Sequence, residues 1–578
     1  VLGDVYAEWE FLKDLKLKVS LGMDIMYLKQ NKYTPSNIYQ SLGIASAKVG
    51  VNRSINWLNE NILTWNKTFK DIHSLNILGG FTIQRNNVES VTGASSNFVN
   101  DVMKYNNLGA GSIYDKPESS ATQWSLMSYL ARINYSLYDR YLFSVNGRVD
   151  GSSRFGGNNK YGFFPSGSVA WRISEEGFME PVKAVINNLK LRTSYGFTGN
   201  TEIGVYESLA TLESNSWTIG NQLVSGFYPN RIPNPDLKWE KTGQFDIGFD
   251  LGLFNNRLRL TADYYYKKTT DLLYNVAIPS ASGYDSMLKN IGSVQNKGYE
   301  LSIESDNLSG AFSWTTAFNI SFNRNKVLEL GGETYKDVGT YDDHLKTSDI
   351  RRLIVGQPIG VFYGYRFDGI FQNEAECAQQ TSSPSPIGVG LRRYKDLNGD
   401  GKIDATNDRE ILGDANPKFF GGMTNTFAYR GFELNVFLQY SYGNKIFNYN
   451  AMELESPTGG QNVYQDLVNR WTPTNPSNEY QKATTNRNNI VSDRFIEDGS
   501  FLKLKTVSLS YSFPKLNWKH IGGLRLYVTG QNLLTWTKYR GYDPEVSYRG
   551  ASTLEAGEDF GGYPQARTFM FGIKLDIK

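Results

Sequence analysis

The sequence predicts an all-β fold: an antiparallel barrel that closes on itself and crosses a lipid bilayer with its strands. Three observations carry that expectation. Long runs alternate apolar and polar residues with period two, the composition is aromatic and glycine-rich yet polar on average, and the connections are either very short or very long.

The alternation is clearest at 312–323, FSWTTAFNISFN. Phe312, Trp314, Thr316, Phe318, Ile320 and Phe322 share one face, and Ser313, Thr315, Ala317, Asn319, Ser321 and Asn323 share the other. The stretch 432–442 sets Phe432, Leu434, Val436, Leu438, Tyr440 and Tyr442 against Glu433, Asn435, Gln439 and Ser441, with Phe437 as the exception. Similar runs lie at 189–195, 258–266 and 502–513; the last changes phase between Leu504 and Val507, which predicts a β-bulge. Soluble strands usually run about 5–6 residues, whereas a tilted strand needs about 9–11 to cross a bilayer. The length of these runs therefore favours the membrane. Lipid cannot satisfy backbone N–H and C=O groups, so a sheet persists there only when closed, with its wet face inward. A large soluble β-sandwich or propeller also alternates, and periodicity alone leaves that alternative standing.

Composition narrows the choice. Aromatics make up 14% of the 578 residues and Gly reaches 56, yet the mean hydropathy is −0.43, as expected when every second residue faces water. No uninterrupted apolar run is long enough to cross a bilayer as a helix. Lys+Arg 60 against Asp+Glu 58 leaves a net charge of +2, without the basic surplus that nucleic-acid phosphates demand. The single cysteine, Cys377, excludes an internal disulfide framework and is expected to be an inert thiol in a polar loop. The chain opens VLGDVYAEWE, with neither an initiator Met nor a signal-peptide pattern, so it is expected to begin inside a larger protein or after processing.

Connections complete the pattern. YRGF (429–432) and FNNR (254–257) are tight turns between alternating runs, whereas 330–352, 373–420 and 452–492 are long and rich in Gly, Pro, Asn, Ser and Thr. Short turns at one end and long loops at the other are what outer-membrane barrels show. At roughly 30–36 residues per strand plus connection, the chain makes about 16–18 strands.

Nine stretches then carry a resemblance. They are VYAEWEFLKDLKLKVSLGMD (5–24), VDGSSRFGGNNKYGFFPSGSVAWRISEE (149–176), LKLRTSYGFTGNTEIGVY (189–206), NPDLKWEKTGQFDIGFD (234–250) and NIGSVQNKGYELSI (290–303). They continue with GVFYGYRFDGIFQNEAE (360–376), the long segment 396–448 that opens DLNGDGKIDATNDREILGDANPKFFGG, DRFIEDGSFLKLKTVSLSYSFP (493–514) and LRLYVTGQNLLTWTKYRGYDPEV (524–546). In this order they resemble the barrel portion of SusC/RagA-type TonB-dependent outer-membrane transporters of Bacteroidetes, and the resemblance covers nearly the whole chain.

The resemblance implies a barrel of about 22 strands with a plugged lumen, of which residues 1–578 would be the last part. The plug, a TonB-binding segment and the first several strands would precede position 1. It implies a cell outer-membrane location, no enzymatic activity, and TonB-energised import of a large nutrient such as an oligosaccharide or a peptide. The partners it implies are a SusD-like surface lipoprotein acting as a lid, the TonB complex, outer-membrane lipid and a dimer of transporter–lipoprotein pairs, with no nucleic acid. One departure is the final Lys578, where the family usually ends in an aromatic.

One motif stands apart. DLNGDGKIDATND (396–408) has the spacing of an EF-hand-type loop, in which oxygen ligands come from positions 1, 3, 5, 7 and 9 around a Gly at 6. Those positions are Asp396, Asn398, Asp400, the Lys402 carbonyl and Asp404, with Gly401 at the turn and Ile403 expected to pack locally. The twelfth position is Asn407; the nearest acid is Asp408, one residue late, with Glu410 a weaker substitute. Neither flank offers an amphipathic helix, so a structural Ca²⁺ or Mg²⁺ staple is expected rather than a sensor, with a bare Asx-rich turn as the alternative. His73, His344 and His520 are isolated and form no ligand pair, and no G-x-S-x-G elbow, P-loop or Rossmann fingerprint is present. Two functional alternatives remain at this point: a passive outer-membrane channel, and a secreted calcium-stabilised β-rich enzyme acting on polysaccharide.

Overall fold

A computed structural model describes residues 1–284, 286–339, 350–456, 462–485, 489–514, 521–550 and 552–577. His344, His520 and Lys578 lie outside the described residues, as do parts of the loops 330–352 and 452–492. Two compact units are distinguished. The first comprises Val1–Arg172, Arg192–Phe245 and Thr269–Gly292; the second comprises Ile173–Leu191, Asp246–Lys268 and Ser293–Lys578.

The first unit is an up-and-down antiparallel meander. Its long strands are β1 (Leu2–Leu12), β2 (Leu15–Thr34), β3 (Ser46–Phe69), β4 (His73–Phe98), β5 (Glu118–Leu137), β6 (Tyr141–Ser152) and β7 (Tyr161–Arg172), each paired with the next. Residues of β8 (Ile186–Asn200), β9 (Glu240–Leu253) and β10 (Leu258–Thr270) fall in both units. The second unit repeats the meander with β11 (Ser293–Leu308), β12 (Phe312–Glu329), β13 (Phe419–Tyr429), β14 (Phe432–Tyr442), β15 (Phe501–Ser512), β16 (Ile521–Thr537) and β17 (Thr568–Ile577). With the short strand Gly111–Tyr114 beside β4, the strands of these ladders number 18 among the described residues.

Register sorts the side chains by polarity. Across the second unit one row runs Ile303–Phe318–Met423–Leu438–Leu504–Leu534, and the row behind it runs Ser302–Asn319–Gly422–Gln439–Lys503–Thr535. Across the first unit, Leu15–Trp65–Ile77–Ile133–Val145–Gly167 forms an apolar row, and Ser20–Glu60–Thr82–Ser128–Asp150 a polar one. Every residue of β14 remains at least partly exposed on both faces, as does the 312–323 run. A sandwich would bury one face of each sheet against the other. Here neither face packs on a protein core.

Local exceptions have local causes. Phe437, out of phase in the sequence, lies over the bare backbone of Gly422, where an added Cβ would stand 2.7 Å from its ring. The expected bulge is present: Phe437 pairs with Thr506 and Leu438 with Leu504, leaving Lys505 as the extra residue. The YRGF turn is a two-residue hairpin with Arg430 at φ 47° and Gly431 at φ 90°, and Asn255 and Asn256 play the same part in FNNR at φ 59° each.

The long connections are more ordered than their composition suggests. Short strands Tyr335–Val338, Arg351–Ile354, Val361–Tyr365 and Arg409–Gly413 form a four-stranded sheet. A core of Ile350, Phe362, Phe447, Tyr449, Met452 and Phe495 gathers from two connections, the one between β12 and β13 and the one between β14 and β15. These apolar residues sit in runs too short to show a period. The ordinary hydrophobic core of the second unit is therefore in its loops.

Candidate functional site

The polar faces carry the chemistry. In the first unit, Arg148 on β6 donates from Nε to Asp150 Oδ1 at 2.6 Å and from Nη2 to Ser128 at 3.0 Å. Asn146, Arg148, Asp150, Ser166 and Thr198 line a cleft of about 470 Å³ backed by Phe164, Phe197 and Trp239. A polar wall with aromatic backing can hold a solute that has both hydrogen-bonding groups and apolar surface.

In the second unit the bulge in β15 concentrates charge. Lys503, only 2% exposed, donates to Asp543 Oδ1 at 2.7 Å and Glu545 Oε2 at 2.6 Å. Lys505 reaches the same Glu545 oxygen at 3.0 Å, and Gln439 on β14 donates to the other at 3.0 Å. Burial pushes the Glu545 carboxyl up, but the hydrogen bonds from Lys503 and Lys505 outweigh it and hold the group below the usual carboxylate range. Further along this face Arg525 donates to Glu433 at 2.6 Å. The cluster pins the segment after β16 onto the strand wall.

Above this wall the loop module is tied by buried ions. Arg351 Nε donates to Glu558 Oε1 at 2.9 Å with both side chains 1% exposed, and the same guanidinium bonds the carbonyls of Gly360 and Ala556. Glu455 accepts from Arg494 at 2.7 Å and Arg540 at 3.1 Å. Tyr539 donates to Asp559 at 2.5 Å, and burial with that carboxylate pushes the phenol well above its ordinary value. None of these partners is close in sequence, so spacing gave no sign of them. The only visible hint was the pair of lysines on alternate positions of LKLKT.

The 396–408 loop is closed by its own amides. Asp396 accepts from the Gly399 and Gly401 N–H groups at 2.7 Å each, and Asp400 from Lys402 N–H at 2.8 Å. Asn398 accepts from Asp400 N–H at 3.2 Å. Asp404 accepts from Thr406 and Asn407 N–H at 2.8 Å, and the Asn407 and Thr406 amides hold its carboxyl below the usual range. Asp408 is fully buried and joins the loop's two ends, accepting from Leu397 and Asp404 N–H at 2.8 Å. Ile403 packs with Tyr365 and Tyr394, as expected, and the flanks are the strands Arg392–Tyr394 and Arg409–Gly413 rather than helices. Glu410 is taken by Arg366. Among the described residues no three carboxylate, imidazole or thiol groups gather closely enough to hold a metal in this arrangement.

The remaining candidates are quiet. His73 Nδ1 lies 2.8 Å from the Tyr135 hydroxyl and stacks on its ring. Cys377 ends the short helix Glu374–Cys377 rather than lying in an open loop, and its burial raises the thiol. That keeps it protonated and unreactive.

Comparison with known proteins places this architecture. The profile of the family described as TonB dependent receptor-like, beta-barrel matches residues 4–370. The chain belongs to this family. It is 39% identical over 583 residues to TonB-dependent receptor P3 of Formosa agariphila, and 30% identical over 597 residues to TonB-dependent receptor SusC of Bacteroides thetaiotaomicron. Each match covers 99% of this chain, but only 57% and 55% of those relatives. Among solved structures, that of the RagAB peptide transporter superposes with a TM-score of 0.85 at 26% identity, covering 99% of this chain and 61% of that one. The SusC/RagA-type resemblance read from the nine stretches therefore holds. The fold is that of an outer-membrane barrel, an architecture in which apolar rows face lipid and polar rows face the lumen. No helix among the described residues is long and apolar enough to span a membrane. A family of receptors and not of enzymes sets aside the secreted-enzyme alternative.

Proposed function

We propose that residues 1–578 form the wall of a transporter that imports a large nutrient across the outer membrane, driven through TonB and covered by a SusD-like lipoprotein. The observation that carries this reading is that 99% of this chain matches part of both SusC and the RagAB peptide transporter. Peptide is the favoured cargo, since RagAB is described as a peptide transporter and 99% of this chain superposes on it. The cleft at Arg148 and Asp150 supports it, because an ion pair on an aromatic-backed wall suits a zwitterionic chain at least as well as a neutral sugar.

Uptake of labelled oligopeptides by cells expressing the full-length protein tests the proposal. Transport should vanish when TonB is removed. Persistence without TonB would make the barrel a passive channel, and uptake of oligosaccharide instead of peptide would change the cargo.

The 396–408 loop enters the proposal as a staple that takes Ca²⁺ or Mg²⁺. Asp396, Asn398, Asp400, Asp404 and the Lys402 carbonyl supply hard oxygen donors, and Asp408 already clasps the loop ends. Binding would exchange several amide hydrogen bonds for metal bonds. Calcium should protect this loop from protease in the parent and not in Asp400→Ala. Equal protection with and without chelator would leave a self-closed Asx turn.

A further inference from the structure

On the lipid-facing side of the second unit, the apolar face gives way near the long-loop end to an aromatic band. Tyr264 on β10 lies 5.0 Å from Tyr299 on β11, which pairs with Phe322 on β12. Phe322 lies 5.8 Å from Phe419 on β13, and Phe419 5.0 Å from Tyr442 on β14. Such a girdle marks the level of the lipid headgroups. Directly above it, on the same faces of the same strands, stand Lys268, Lys297, Arg324 and Lys326, all exposed.

Their arrangement is costly for an isolated sheet. Lys297 pairs directly with Arg324 across the ladder, a like-charge opposition that destabilises strand pairing, and Lys326 pairs with Gln295. Among the described residues none of the four forms an ion pair. Arg324 is instead held by two backbone carbonyls, those of Asn323 at 2.8 Å and Lys418 at 3.0 Å, which orient the guanidinium without neutralising it. Every other lipid-side position of this stretch is apolar or uncharged, and the polar face behind it balances its cations with acids such as Glu304 and Glu433. Four cations without acids, at headgroup height, need anions from outside the protein.

We propose that this basic row binds the phosphate groups of a lipid in the surrounding leaflet, with the acyl chains lying along the aromatic and aliphatic rows beneath. The guanidinium of Arg324 offers a fork to phosphate oxygens and the lysines offer point charges on either side. The opposed pair Lys297–Arg324 is then bridged by a shared anion, which turns a repulsion into a clamp. The surface is independent of the lumen and of whatever cargo passes there.

The test uses the full-length protein in nanodiscs of phosphatidylcholine doped with either lipid A or chemically dephosphorylated lipid A. Lipid retained through delipidating detergent is counted by native mass spectrometry. The parent should retain the phosphorylated form on the order of tenfold better, with the preference falling in high salt. The double variant Lys297→Gln, Arg324→Gln should lose that preference. Lys267→Gln, whose ammonium sits over the Tyr265 ring on the opposite face, should keep it. Equal retention of the two lipids by the parent would overturn the proposal without reference to any variant. So would a folded double variant, shown by heat-modifiable gel migration, that still prefers phosphate.

Discussion

Lys503 on β15 and Glu545 in the segment after β16 meet at 2.6 Å, with Asp543 completing the ammonium's shell at 2.7 Å. The lysine is almost wholly buried, and these two acids are its ion-pair partners. Removing one partner of a buried pair typically costs about 3–5 kcal/mol, because the other charge is left without compensation. Lys503→Ala should therefore release the 538–567 segment while the barrel persists. Limited proteolysis would show new cuts between β16 and β17, with heat-modifiable migration retained. Uncut protein would mean that the buried Arg351–Glu558 and Tyr539–Asp559 contacts hold the segment without Lys503.

The same cluster sets a pH dependence. Glu545 has its folded-state value held below the ordinary carboxylate value of about 4.3. A group lowered in this way contributes stability that is present above its unfolded value and is lost as pH falls through the folded one. Hydrogen exchange in 538–567 should stay slow from neutral pH down to about pH 5 and quicken in stronger acid. Glu545→Gln should show faster exchange already at neutral pH and a weaker acid step. An unaltered acid step in that variant would place the titration on another group.

How much of this was legible beforehand depends on distance in sequence. The period-two runs, the phase slip at Lys505 and the tight turns YRGF and FNNR were readable because each is a local property of the backbone or of one strand's two faces. The closure of the 396–408 loop was half-readable: its spacing announced a turn centred on Gly401, but not that Asp408 would be buried as the clasp. The pairs Lys503–Glu545, Arg351–Glu558 and Arg540–Glu455 were not readable, since long-range pairing leaves no period behind. The loop core was hidden for a related reason. Its apolar residues come singly or in pairs from distant segments, so composition reads as coil what packing makes solid.

Gly421 shows how tightly the lipid-side rows are fitted. It lies beneath the Tyr440 ring, whose hydroxyl crosses it to donate to the Asn319 carbonyl at 2.8 Å. A Cβ at Gly421 would come within 2.1 Å of that carbonyl and 2.7 Å of the Tyr440 oxygen. Gly421→Ala should displace the tyrosine and cost about 1–3 kcal/mol, the usual toll of overpacking. Gly22→Ala, where nothing lies within 4 Å, serves as the control and should be near neutral. Thermal unfolding in one detergent compares the two; equal midpoints would mean that β13 shifts to make room.

The assignment of faces is open to the most direct check. Phe318 and Asn319 are adjacent on β12, yet their neighbours differ completely: Ile303 and Met423 flank the first, Ser302 and Gly422 the second. In a closed sheet crossing lipid, one of these rows meets acyl chains and the other meets water. Single cysteines at the two positions should therefore react oppositely in the intact membrane. Asn319→Cys should take a charged, water-soluble maleimide, while Phe318→Cys should resist it and be quenched by a spin-labelled lipid chain. Cys377 is buried and supplies a low background. The reverse pattern would turn every row inside out, and with it the lipid-facing position of Lys297 and Arg324.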